Sequence, residues 1–155
     1  MSRNVKNMIG SIVNAEVMLN FVIDTKTITK EQADELYFQY HEFAFSVQEL
    51  EELYIKVRDE QRLFNPVNQH HFEAYQYFEH LRVEMDNSIQ TVRKLNEDEL
   101  KYYNRMLRIT KLSSDILQKY RNTKLLIQRD EWSILLKKLS NVDGQETINN
   151  NSLKV

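Results

Sequence analysis

Apolar residues recur three and four positions apart along most of this chain, the spacing that lines one face of an α-helix. Over Arg3–Ile23 the positions Val5, Met8, Ile9, Ile12, Val13, Leu19 and Ile23 form one stripe with a polar back. Asp24-Thr25-Lys26-Thr27 reads as the loop that ends it. The second helix has a sharper start. Thr29 stands three residues before Gln32, a capping-box spacing, with Ile28 and Ala33 in staple positions. Ala33, Leu36, Tyr40, Phe43, Val47, Leu50, Tyr54 and Val57 then alternate by three and four. This heptad seam predicts left-handed helix packing at a shallow angle, with an end near Leu63. Phe38, Phe45 and Ile55 fall off the seam and are expected to cover a second neighbour or a partner.

Pro66 suits a helix start and disfavours helical backbone at Asn65, so a third helix is expected over Val67–Leu95. Its stripe reads His71, Ala74, Phe78, Leu81, Met85, Ser88, Val92 and Leu95. Asn96 stands three residues ahead of Glu99, flanked by Leu95 and Leu100, which predicts a fresh helix or a sharp bend. From Asn96 the pattern is helical to about Leu139. Leu100, Tyr103, Leu107 and Leu117 mark one face; Met106, Ile109, Ser113, Ile116 and Tyr120 mark another, so this helix should be wedged between neighbours. A turn is expected near Arg121–Lys124 or at Arg129-Asp130. After Asn141 the chain becomes polar and Asn-rich and should be disordered.

The predicted fold is all-α: an antiparallel bundle of four to five helices with a long central helical hairpin and a disordered C-terminal tail. Residues 1–140 form the single domain and 141–155 the tail. Leu50, Leu81 and Leu107 are expected in the core where helices two, three and four meet. Composition agrees, because two Gly and one Pro leave little turn chemistry for a sheet protein of 155 residues. The absence of Cys excludes disulfides and thiol chemistry. Met8–Phe21 is interrupted by Asn14, Glu16 and Asn20, reads as too polar to span a bilayer and carries no cleavage signal, so a cytoplasmic protein with no membrane partner is expected.

Charge divides the chain. Residues 1–92 carry 8 Lys/Arg against 15 Asp/Glu, and residues 93–140 carry 12 against 6. Lys101, Arg105 and Arg108 form one helical stripe, with Lys94 and Lys111 at its edges. Such a row suits an acidic partner, or else neutralisation by the acidic second helix.

The chemistry-bearing residues are sparse. His70, Glu73 and His80 offer a two- or three-point face, short of the convergent ligands that a metal site needs. The acidic run around Glu49–Glu52 is what a solvated helix face looks like, and no phosphate-cradling or acyl-transfer motif occurs. No catalytic residue, metal or cofactor is assigned. The expected function is therefore non-enzymatic: a regulatory or adaptor protein acting through protein–protein binding, self-association included. Its candidate surfaces are the basic face (Lys94, Lys101, Arg105, Arg108, Lys111) and the off-seam apolar set (Phe38, Phe45, Ile55). The alternative is a nucleic-acid binder using the basic segment 94–129. A third is a small-molecule sensor with an apolar slot between helices.

Overall fold

The computed structural model describes residues 2–58, 69–121 and 134–142. The Asn65-Pro66 connection, the side chains of Tyr54, Ile55 and Val57, Trp132 and the tail from 143 lie outside the described residues. Helix α1 runs Ser2–Thr25, strand β1 Thr27–Thr29, α2 Lys30–Arg58, α3 Gln69–Asn87, β2 Val92–Lys94 and α4 Glu97–Gln118. A fifth helical segment, α5, covers residues 134–142. The chain is an all-α helical bundle with one very small two-stranded sheet.

Both predicted capping boxes form. Thr29 Oγ1 accepts from the Gln32 amide at 3.1 Å while Gln32 Oε1 accepts from the Thr29 amide at 2.9 Å. Asn96 and Glu99 exchange the same pair, each at 2.8 Å. Ile28 and Ala33, the staple residues of α2, are both fully buried.

The third helix ends earlier than its heptad pattern predicts. The Gln90 amide bonds to Met85 O and the Ile89 amide to Asp86 O, the paired closure of a Schellman motif. This cap puts Ile89 in the left-handed region, with φ 53. Ser88 and Val92, counted in the seam, are consequently exposed. The chain then turns into β2, which pairs antiparallel with β1 in the register Thr27↔Lys94, Ile28↔Arg93, Thr29↔Val92. Left-handed backbone is costly for a β-branched residue, and Ile89 is 89% exposed with nothing to lose. Replacing Ile89 with Gly should therefore raise stability by about 1 kcal/mol, read from urea denaturation. A loss of stability would mean that the Ile89 side chain makes a contact that outweighs the strain.

The principal packing pairs are α1 with α2, α2 with α3, and α1 with α4. Successive helices run antiparallel, so α1 and α4 close the bundle while α2 and α4 occupy opposite corners. The core falls into two clusters. The one nearer the sheet joins Leu19, Leu36, Tyr40, Phe78, Leu81, Met85, Tyr103 and Leu107, among others. The other joins Met8, Ile12, Phe43, Val47, Leu50, Leu117, Leu135 and Leu139. Leu50, Leu81 and Leu107 are all buried as expected, but Leu50 belongs to the second cluster and does not meet the other two. Polar side chains lie between the clusters: Tyr40 shares a 2.7 Å hydrogen bond with Thr110, and His71 Nε2 sits 3.3 Å from Ser113 Oγ.

One further expectation is corrected. The segment Val5–Thr25 is long and apolar enough to cross a membrane, with a mean hydropathy of 1.2, so Met8–Phe21 is less polar than its Asn and Glu interruptions suggest. Its apolarity has a local cause, because α1 packs against both α2 and α4 and buries Val5, Met8, Ile12, Ala15, Leu19 and Val22. The last described helix reaches residue 142, where Val142 is only 2% exposed.

Candidate functional site

The two candidate surfaces lie on opposite corners of the bundle. On α2 the exposed positions between Lys30 and Leu53 are Glu31, Glu35, Phe38, Phe45, Glu49, Glu52 and Leu53. Four are carboxylates, three are apolar and none is basic. The cause is helical geometry: the seam residues Leu36, Tyr40, Phe43, Val47 and Leu50 point inward and carry this set to the far side.

The two off-seam phenylalanines behave differently. Phe45 partly covers a second neighbour, as the sequence predicts. Its ring stacks on His41 at 4.4 Å and meets Phe72 and Tyr75 of α3 at 5.9 and 6.4 Å. Tyr37 continues this side cluster towards the sheet, packing on Tyr75 at 5.2 Å with the Arg82 guanidinium 4.2 Å over its ring. Phe38 instead stays 55% exposed. Ile55 lies outside the described side chains.

Beside α2, the outer side of α1 is unusually free of charge. Its exposed positions between Lys6 and Asp24 are Asn7, Gly10, Asn14, Val17 and Phe21. Val17 is 65% exposed and Phe21 56%. Asn14, Val17 and Met18 of α1 and Glu31, Gln32 and Glu35 of α2 line a surface groove of about 550 Å³. Sequence reasoning did not single out this groove. A signal existed in the low charge of Gly10–Phe21, but that was read only against a membrane.

The basic face is brought together in part. Lys101, Arg108 and Lys111 are exposed on α4 and Arg105 is half-buried beside them. Lys101 pairs with Asp98 one turn earlier at 3.6 Å, both well exposed. Lys94 sits apart, on β2. Because α4 packs on α1, with α2 at the opposite corner, acidic α2 is not the main neighbour of this face.

Other ion pairs concentrate at the sheet end. Lys30 pairs with Asp86, Asp34 with Arg82 at 3.7 Å, and Arg93 spans Glu84 and Glu99 to tie α3 to α4. Asp86 raises the Lys30 pKa by hydrogen bond and charge.

The interior aromatics pack on one another. Tyr40 stacks on Phe78 at 5.9 Å, Phe78 meets Tyr103 at 5.8 Å, and the Tyr77 hydroxyl donates to that of Tyr103. Burial pushes the Tyr102 hydroxyl up to about 12 and raises Tyr40 and Tyr103 as well, so all three stay neutral. His71 is 3% exposed, and burial, then the charge of His70, pushes its pKa down to about 3.

His70 lies 3.3 Å from Glu73, but among the described residues no three His, Cys, Asp or Glu side chains converge as a metal site would require. Compared with known protein families, curated proteins and solved structures, the chain matches none.

Proposed function

We propose that this chain is a non-enzymatic regulatory or adaptor protein of the cytoplasm that works by binding another protein. The observation that carries this reading is Phe38, more than half exposed in a line of carboxylates on the outward face of α2. A lone exposed phenylalanine needs no explanation; one continued along α2 by the exposed Phe45 and Leu53, with Val17 and Phe21 exposed on α1, the helix packed beside it, supplies apolar surface suited to recognition. The heptad seam of α2 supports coiled-coil-like packing behind it, which gives the patch a rigid base.

The test compares the parent with the Phe38→Asp variant in co-purification from native cells. The parent should retain a defined polypeptide that the variant loses, while the two melt at the same temperature. Equal recovery from both would defeat the reading.

A second reading rests on Lys101, Arg108 and Lys111, exposed together on α4 and turned away from the α2 carboxylates. Such a stripe suits the phosphates of a nucleic acid. It predicts a gel shift with random duplex that weakens steeply with salt and disappears when these three residues become Gln.

A further inference from the structure

We infer that the groove between α1 and α2 receives a basic amphipathic helix, supplied by the partner and lying along the bundle as an added helix. This rests on the reading above and specifies the partner's chemistry. Three observations lead to it. The first is shape. Asn14, Val17 and Met18 form one wall and Glu31, Gln32 and Glu35 the other, leaving a furrow between two antiparallel helices. Ridges of a third helix fit such a furrow, whereas an extended peptide would find no free backbone groups, since those of α1 and α2 are used within the helices.

The second observation is length. The uncharged exposed line on α1 runs from Gly10 to Phe21, three helical turns or roughly 17 Å. Along α2, Glu31, Glu35 and Phe38 step down the same side at intervals of four and three. A docked helix of about a dozen residues therefore finds uncharged surface along α1, with apolar contacts at Val17, Met18 and Phe21 and at Phe38 on α2.

The third is charge. The α1 wall carries no charged residue between Lys6 and Asp24 at its exposed positions, and the charged residues at the exposed positions of α2 from Glu31 to Leu53 are all carboxylates. An occupant with Lys or Arg on one flank of its apolar stripe matches both walls at once. An acidic helix would meet Glu31 and Glu35 with like charge. A second copy of this chain offering the same α1–α2 face would bring those carboxylates together in the same way.

The probe is a fluorescent 18-residue helical peptide of Leu and Lys, compared with one in which every Lys is replaced by Glu. Anisotropy should show the Lys peptide binding the full chain at least tenfold more tightly than the Glu peptide. The exposed pair Val17→Asn with Phe38→Ala should weaken it tenfold or more. Glu31→Gln with Glu35→Gln should weaken it several-fold and flatten its salt dependence. All four positions face solvent or its edge, so thermal midpoints should be unchanged, which separates lost binding from lost folding.

Four results would overturn the inference. One is no preference between the peptides. Another is binding lost in salt but indifferent to Val17 and Phe38, which is plain electrostatic adhesion. The third is a dimer, seen by sedimentation, that the Val17 and Phe38 changes dissolve, which would make the occupant a second copy. If a Phe38-dependent native partner exists but the Lys peptide does not displace it, this inference fails and the adaptor reading stands.

Discussion

Replacing Phe78 with Ala should destabilise the protein by about 3–5 kcal/mol, whereas the same change at Phe38 should cost less than about 0.5 kcal/mol. The chemistry is identical and only the surroundings differ. Phe78 is fully buried in the cluster nearer the sheet, stacked on Tyr40 and in ring contact with Tyr77 and Tyr103. Its removal opens a void that rigid neighbouring rings cannot close. Phe38 is 55% exposed and leaves water in its place. Urea denaturation of the two variants checks this directly. Similar losses at both sites would mean that Phe38 supports the fold, and its use as a binding probe would fail.

The second large effect is a pH dependence from one side chain. His71 packs 4.5 Å from Phe43 and 6.2 Å from Tyr40, with Ser113 on its Nε2, and burial pushes its pKa down to about 3. In the unfolded chain it titrates near about 6.5. Between those values the unfolded state binds one more proton than the folded state. Stability therefore rises with pH across that window, is complete above about 6.5, and is lost as pH falls towards 3. The slope approaches about 1.4 kcal/mol per pH unit, so the parent should lose roughly 2 kcal/mol between pH 7 and pH 5 through this residue. The His71→Leu variant should lack that component, and the difference between the two denaturation series isolates it from every other group. Parallel curves would show that His71 reaches a proton without unfolding.

What the sequence disclosed was mostly local chemistry. The Thr29–Gln32 and Asn96–Glu99 boxes involve groups three residues apart, so composition and spacing suffice to predict them. The inward seam of α2 was legible for the same reason, because its period fixes which side chains share a face. The β1–β2 pairing was not, since three residues on each side are held by the meeting of distant helix ends. Ile89 hid the end of α3: its motif normally takes Gly, and Ser88 and Val92 continued the heptad count past the break. The neighbour of the basic face was also illegible. A helical pattern tells which side is buried but not which helix covers it, and α4 packs on α1 with acidic α2 across the diagonal. For the proposed binding face, Phe38 was visible as an off-seam residue, but the contribution of α1 required knowing that Val17 and Glu35 line one furrow.

The α1–α2 face of this bundle is proposed to receive another protein. The most direct measurement replaces Phe38 with the photoreactive p-benzoylphenylalanine and irradiates the full chain in its native cells, with position 89 as an exposed control. A discrete covalent adduct with a different polypeptide, formed from 38 and not from 89, is the predicted result. No adduct from 38, an adduct only with the chain itself, or the same adduct from both positions would contradict it.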